Sequence, residues 1–218
     1  GSLVDMDYFL RYAAVSYFLG NPDDLRNNFN NCYIYFLKST GKMIVIPYDY
    51  DRCLGVTVDY NPSGHGMTAE NPLSDRAEGK QDGPGPQESP LFLLSVAKGG
   101  FYVKEYAAVL EEVAANQLLK PDTFATRYHA TANLYSKDVT PERTLHNADT
   151  EDFSFNIDRT DSAAGGNNMS FKDYITAKKS SFLNYMKNID QYTEYVRPVD
   201  PTFFIRGDFN DWSNRNEY

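Results

Sequence analysis

VIPYDYDRCLG, residues 45–55, decides how the chain folds and what it does. The apolar run Met43-Ile44-Val45-Ile46 has strand character and stops at Pro47, which cannot donate to a ladder. Asp49 and Asp51 follow, two residues apart. Two carboxylates at the end of a strand that reads as buried need a physical reason, and the segments on either side supply one. Upstream, Lys38-Ser39-Thr40-Gly41-Lys42 is a turn, and Cys32 to Leu37 is a second strand, so Cys32–Tyr48 reads as a β-hairpin. Asp-x-Asp at its exit places Asp49 towards a cleft, and Asp51 shares that side if the chain stays extended.

Further upstream, GNPDDLRNNFNN (20–31) is dense in Gly, Pro, Asn and Asp and reads as a loop. Asp5 to Leu19 is helical: Asp5 and Asp7 suit its N-terminus, Gly20 its stop, and its nearly all-round apolar surface a central position. Downstream, residues 56–89 carry five glycines and four prolines with few large apolar side chains, as in a long functional or mobile loop, weakest in order around Ala77–Pro86. Helical spacing then returns at Pro90–Lys98, Val103–Leu119 and Pro121–Tyr135, the last with Phe124, Tyr128 and Tyr135 on related faces. Residues 138–169 lack a clear pattern, with a turn at Ala164–Asn168. Ser170 and Asp173 form a capping-box pattern before a further helix, in which Phe171, Tyr174, Ile175, Lys178, Phe182, Tyr185, Met186 and Ile189 recur at helical intervals. The expected class is α+β: a mainly helical domain with a β-hairpin carrying the Asp-x-Asp motif.

Composition narrows the function. The chain has 218 residues and a net charge of −9, with no basic block, which argues against nucleic-acid binding through the phosphate backbone. An acidic protein still binds a nucleotide when metal ions bridge the charges. Seventeen tyrosines against one tryptophan suit semi-exposed or sugar-facing surfaces. Two cysteines, Cys32 and Cys53, exclude a disulfide scaffold and read as free thiols. No apolar run is long enough to span a membrane. The stretch shows no signal-peptide pattern, Gly1-Ser2 reads as an expression scar, and the chain reads as a fragment of something longer, with which a signal sequence could have been lost. His65, His129 and His146 are scattered without metal-ligand spacing, and no Gly-x-Ser-x-Gly motif points to a serine nucleophile.

The order of elements is informative: a buried helix, an Asp/Asn loop, a hairpin ending in Asp-x-Asp, then a glycine-containing loop. Phosphoryl transfer uses such an order, with a loop Asp accepting the hydroxyl proton, an Asn holding a metal ion and a post-hairpin Asp holding the phosphate-bridging metals. The ordered set Gly20, Asn21, Asp23, Asn31, Tyr33, Tyr35, Gly41, Lys42, Pro47, Asp49, Asp51 and Gly55 resembles the CotH (spore-coat protein H) kinase family. SPLF at 89–92 and FKDYITAKK at 171–179 are similar to its C-terminal half. The resemblance implies a kinase-like fold, here its C-terminal lobe over residues 3–192. It implies ATP and Mg²⁺ as cofactors and transfer of phosphate to Ser/Thr-type hydroxyls of secreted or cell-surface proteins.

Carried over, Asp23 or its neighbour Asp24 is the catalytic-loop acid. Asp49 binds the nucleotide-bridging metal, Asp51 assists, and Asn31 is the metal-binding amide. The loop is longer than the common family pattern. Kinase spacing from Asp23 picks Asn28, whereas anchoring on the strand picks Asn31, and the latter keeps the usual interval to Asp49. No glycine-rich phosphate loop or nucleotide lysine precedes Leu3, so the piece is expected to act within a longer parent and to turn over poorly alone. The competing expectation is a non-catalytic surface or carbohydrate-binding module. Residues 193–218 read as a linker followed by a strand and turn, and FIRGDFNDW (204–212) resembles the start of an immunoglobulin-like glycan-binding module.

Overall fold

The computed structural model describes residues 3–21, 23–26, 30–51, 53–54, 68, 71–73, 90–96, 99–145 and 170–194. The expectations for Ala77–Pro86, the turn at 164–168, Asn28 and the tail beyond residue 194 lie outside them. The described elements are mostly helical, with one two-stranded antiparallel sheet.

Helix α1 (Met6–Leu19) begins where Asp5 accepts a hydrogen bond from the Tyr8 amide. It ends at Gly20, whose left-handed φ of 67° lets its N–H reach the carbonyls of Ser16 and Tyr17. Phe9, Leu10, Tyr12, Ala13, Ala14, Ser16, Tyr17 and Phe18 are buried, so the helix is central, as its composition requires. It packs against α3 (Val103–Ala114), which buries Val103, Tyr106, Ala107 and Leu110, and against α5 (Phe171–Met186). On the surface Arg11 of α1 pairs with Glu112 of α3 at 2.7 Å, so Glu112 is a tether as well as part of a solvated face.

Strands β1 (Cys32–Phe36) and β2 (Met43–Pro47) pair in register Cys32↔Pro47 through Phe36↔Met43. Gly41, at φ 67°, supplies the left-handed residue that the connecting turn needs, and its N–H donates to the Leu37 carbonyl. The expectation of a buried strand is corrected here. In β2 only Val45 is buried, and Tyr33, Ile34, Tyr35 and Phe36 of β1 are all exposed. An isolated hairpin with so little burial is marginal in water. Helix α1 supplies the missing support at both of its ends. Before it, Met43 donates to the Leu3 carbonyl at 2.7 Å and accepts from the Asp5 amide at 3.0 Å; after it, Leu54 donates to the Leu19 carbonyl at 2.9 Å.

The remaining helices complete the core. Short α2 (Pro90–Ser95) sets Phe92 edge-on against Tyr106. The helix expected over Val103–Leu119 stops at Ala114 and resumes as a 3₁₀ turn at Gln117–Leu119, capped by Asn116. Helix α4 (Pro121–Leu145) is longer than its apolar pattern and runs through Pro141, which removes one helical rung. It docks through Phe124, stacked on Phe171 of α5, whereas Tyr135, expected on the same face, is exposed. At the start of α5, Ser170 Oγ accepts from the Asp173 amide and donates to the Asp173 carboxylate. Tyr174, Ile175 and Phe182 are buried, and Phe182 meets Phe18 edge-on at 5.2 Å. Lys178, in phase with them, is also buried, its Nζ 3.8 Å from the Tyr17 ring centroid. After α5, α6 (Asp190–Thr193) buries Tyr192, whose hydroxyl accepts from Asn71. With Leu73 fully buried, this part of the expected mobile loop is anchored in the core.

The aromatic joint between α1 and α5 carries a test. Phe182 is 2% exposed and its neighbour Leu183 60%. Phe182→Ala should lower unfolding free energy by about 3–5 kcal/mol, and Leu183→Ala should change it by no more than about 0.5 kcal/mol, as read by urea denaturation. Equal effects would show that this face of α5 is not the packed one.

Candidate functional site

The loop after α1 is tied down along its length. Asn21 is fully buried; its Oδ1 accepts from the Asp23 amide at 2.9 Å and its Nδ2 donates to the Asp49 carbonyl at 3.4 Å. Leu25 is buried in the core. Asp24 has no exposed surface: Oδ1 accepts from the Arg26 amide and Oδ2 from Arg26 Nε, both at 2.9 Å. Arg26 itself is 3% exposed. Breaking a buried charge pair by removing one partner typically costs about 3–5 kcal/mol. The pair therefore acts as a firm anchor for the turn that carries Asp23.

Asp23 lies half-buried at the mouth of the loop. Its Oδ2 accepts from Asn31 Nδ2 at 3.0 Å and from Asn30 Nδ2 at 3.2 Å. Asn31, immediately before β1, takes a left-handed backbone with φ 49°, a conformation Asn tolerates better than most residues. Its carbonyl accepts from the Tyr48 amide at 3.0 Å, which closes the base of the hairpin. Asp49 follows with φ 51°, also left-handed. Asp23, Asn31, Tyr48, Asp49 and Asn21 thus form one closed circuit of hydrogen bonds and peptide links. The chain is not extended at Asp49, so strand alternation does not relate Asp49 to Asp51 as the sequence suggested. Both carboxylates are exposed.

Tyr50, between them, turns inward. Its hydroxyl and that of Ser16 on α1 are hydrogen-bonded, and Tyr12 lies beside them. Burial, and then the negative charge of Asp24, push the Tyr50 hydroxyl up to about 12, partly offset by the bonds to Ser16 and Tyr12 and by Arg26. Burial likewise raises the Tyr12 hydroxyl and the Cys53 thiol, with Asp24 again adding to each. Cys32 and Cys53 are free thiols. A cleft of about 590 Å³ opens along this side of α1, lined by Tyr8, Tyr12 and Leu19 of the helix and by Tyr48, Asp49 and Tyr50.

Of the residues singled out in the sequence, the fold joins Asp23 to Asn31 directly and to Asp49 through Asn21. It encloses Asp24 with Arg26, and leaves Asp51 exposed beyond Tyr50. No group of three or more His, Cys, Asp or Glu side chains among the described residues is placed to hold a metal ion. Sequence reasoning missed Asn21 as a linker, Arg26 as the partner of Asp24 and Tyr50 as an anchor. Asn21 had a signal, its place directly after the helix-stopping glycine; Arg26 and Tyr50 are recognisable only once burial is known.

The Tyr50 hydroxyl links this region to alkaline stability. Its pKa is about 12 in the fold, against about 10 in an unfolded chain. The fold thus favours the neutral form, and that contribution is complete below pH 10 and is lost as pH rises from 10 to 12. Thermal melts across that window should fall more steeply for the natural protein than for Tyr50→Phe. Identical slopes would mean that Tyr50 does not titrate from a buried site.

No helix among the described residues is long and apolar enough to cross a membrane. No curated protein and no solved structure matches the chain. The family model described as CotH kinase protein matches residues 1–152, which take in α1, the Asp23 loop, the hairpin and the Asp49–Asp51 segment. With well over half of its 218 residues matched, the chain belongs to the CotH kinase family.

Proposed function

We propose that this chain carries the phosphoryl-transfer residues of a protein kinase, moving phosphate from ATP to Ser/Thr-type hydroxyls of secreted or cell-surface proteins. The observation that carries the reading is the Asp23–Asn31 hydrogen bond at the base of the hairpin, with Asp49 joined to the same circuit through Asn21. Kinase family membership implies ATP and a divalent metal in general.

The donor set fits Mg²⁺, which takes hard oxygen ligands. Asn31 spends its amide nitrogen on Asp23, which leaves its amide oxygen for a cation. Asp49 and Asp51 present exposed carboxylates a short way along the chain. When bound, the metal neutralises charge on the phosphates and orients them for in-line transfer. The environments of the protein groups support the following roles. Asp23 is half-buried and faces the mouth of the loop, so it accepts the proton of the incoming hydroxyl. Both carboxylate oxygens of Asp24 are bonded to buried Arg26, so it holds the loop in shape and does not reach substrate. Asn31 and Asp49 would hold the metal, with Asp51 assisting.

A second reading, a surface-binding module, draws on the exposed rings of Tyr33, Tyr35 and Tyr48 on the hairpin. Stacking of sugar rings on exposed tyrosines is its physical basis. Saturable binding of α-glucan to the hairpin in place of Mg-ATP would favour it.

Calorimetric titration with Mn²⁺, as a stand-in for Mg²⁺, and with Mg-ATP tests the first reading. Asp49→Ala should weaken both by at least about tenfold. Asp23→Asn should leave metal affinity within about twofold and, in the longer parent in which this piece is expected to act, lower label transfer from γ-labelled ATP by roughly 10²–10⁴-fold. Metal and nucleotide affinities unaffected by Asp49→Ala would sink the assignment.

A further inference from the structure

The hairpin base and the catalytic loop are separate stretches of chain, and each holds a strained residue. Asn31 and Asp49 both sit at positive φ without being glycine. Such conformations persist only where neighbouring groups over-determine them. For Asn31 the neighbours are evident: its side chain donates to Asp23 and its carbonyl accepts from Tyr48. For Asp49, the contact that bears on its backbone comes from Asn21.

Asn21 is 0% exposed and follows the left-handed Gly20 that ends α1. Its position is therefore fixed by a helix that buries Phe9, Leu10, Tyr17 and Phe18 in the core. Its amide points one atom each way, Oδ1 to the Asp23 N–H and Nδ2 to the Asp49 carbonyl. One planar group orients the backbone of both. An Asn side chain alone combines an acceptor and a donor at this separation and reach: Asp cannot donate, Ser is too short, and Gln adds a methylene.

We infer that Asn21 is a positioning residue, a buried clamp that sets the catalytic-loop Asp23 and the metal-side Asp49 at a fixed spacing. The inference rests on the phosphoryl-transfer reading for its consequence and on the hydrogen-bond circuit for its existence. Asn21 touches neither metal nor substrate and acts through the two residues it holds. Its loss leaves the donors in place but lets the two sides of the circuit drift. Outer-shell partners of metal ligands commonly change affinity by roughly 10- to 100-fold, and that is the range expected here.

Two variants separate the arms. Asn21→Ala removes both hydrogen bonds. Asn21→Asp keeps the acceptor for the Asp23 amide and deletes the donor to Asp49. Amide hydrogen exchange and Mn²⁺ calorimetry are run on both, with exchange at Phe182 as the check that the core is intact. Asn21→Ala should weaken Mn²⁺ binding roughly 10- to 100-fold and remove protection at Asp23 and also at Tyr48, whose amide Asn21 does not touch. Asn21→Asp should lose a similar factor in Mn²⁺ affinity while Asp23 stays protected. A purely structural residue would lower protection at Phe182 and leave the affinity of the folded fraction unchanged.

The natural protein supplies a measurement that needs no variant to fold. In a Mg²⁺ titration followed by NMR, the Asn21 side-chain amide and the Asp23 N–H should move in step with Asp49. An Asn21 amide that stays still while Asp49 shifts overturns the inference, as does unchanged Mn²⁺ affinity with unchanged Tyr48 protection. If neither Mn²⁺ nor Mg²⁺ binds the natural protein, the phosphoryl-transfer reading fails instead. Exchange at Tyr48 then decides the clamp on its own: retained protection in Asn21→Ala refutes it, and lost protection upholds it.

Discussion

The hydroxyl contact between Ser16 of α1 and Tyr50 is the joint on which the functional half of the structure depends. A hairpin whose strands bury little beyond Val45 has almost no hydrophobic reason to hold a fixed position. The reason comes from α1, whose own burial is nearly complete along one wide face. Backbone bonds from Met43 and Leu54 pin the hairpin segment to the two ends of that helix, and Tyr50 pins it between them. The side chains that matter for chemistry therefore inherit their positions from a helix that contributes none of them directly.

The inward turn of Tyr50 also accounts for the two carboxylates around it. One large side chain between Asp49 and Asp51 enters the protein, and both acids stay in solvent, where an unpaired charge is tolerated. The cost of a buried charge appears elsewhere, at Asp24. There the ion pair with Arg26 is buried and hydrogen-bonded, so loss of either partner would leave the other charge buried and uncompensated. Its negative charge still reaches its surroundings, raising the Tyr12 and Tyr50 hydroxyls and the Cys53 thiol beyond what burial alone does.

Much of the fold was legible in the sequence because its strongest signals are local. Asp5 and Gly20 bracket α1, Ser170 and Asp173 open α5, and a Gly-containing turn joins two β-branched and aromatic runs. What was not legible depends on partners far along the chain. Strand β2 looks buried by composition, yet its burial is decided by what packs on it. Helix α4 continues to Leu145, ten residues past the aromatic spacing that marks it in the sequence. Leu73 sits in a Gly/Pro-rich stretch that reads as loose, and only its contact with the core shows otherwise. The candidate site divides in the same way. Asp23, Asn31 and Asp49 stand out by their order along the chain. The left-handed turn at Asp49, the enclosure of Asp24 and the bridging amide of Asn21 follow from three-dimensional closure.

The alternation of acid and amide around the circuit has an electrostatic logic of its own. Asp23 and residue 31 make a direct side-chain contact at 3.0 Å. A carboxylate at 31 would set two like charges at that distance, and they would repel each other. An amide there instead donates to Asp23, so the contact is an attraction that holds the carboxylate in place. The same hydrogen bond fixes which end of the amide is used up, so the oxygen is the end that remains. Asn31 thereby separates two functions that one charge could not serve together: it steadies the base on one side and offers a neutral hard donor on the other. Under the proposed function, the cation then meets charge mainly from Asp49 and Asp51, and Asp23 serves as the proton acceptor.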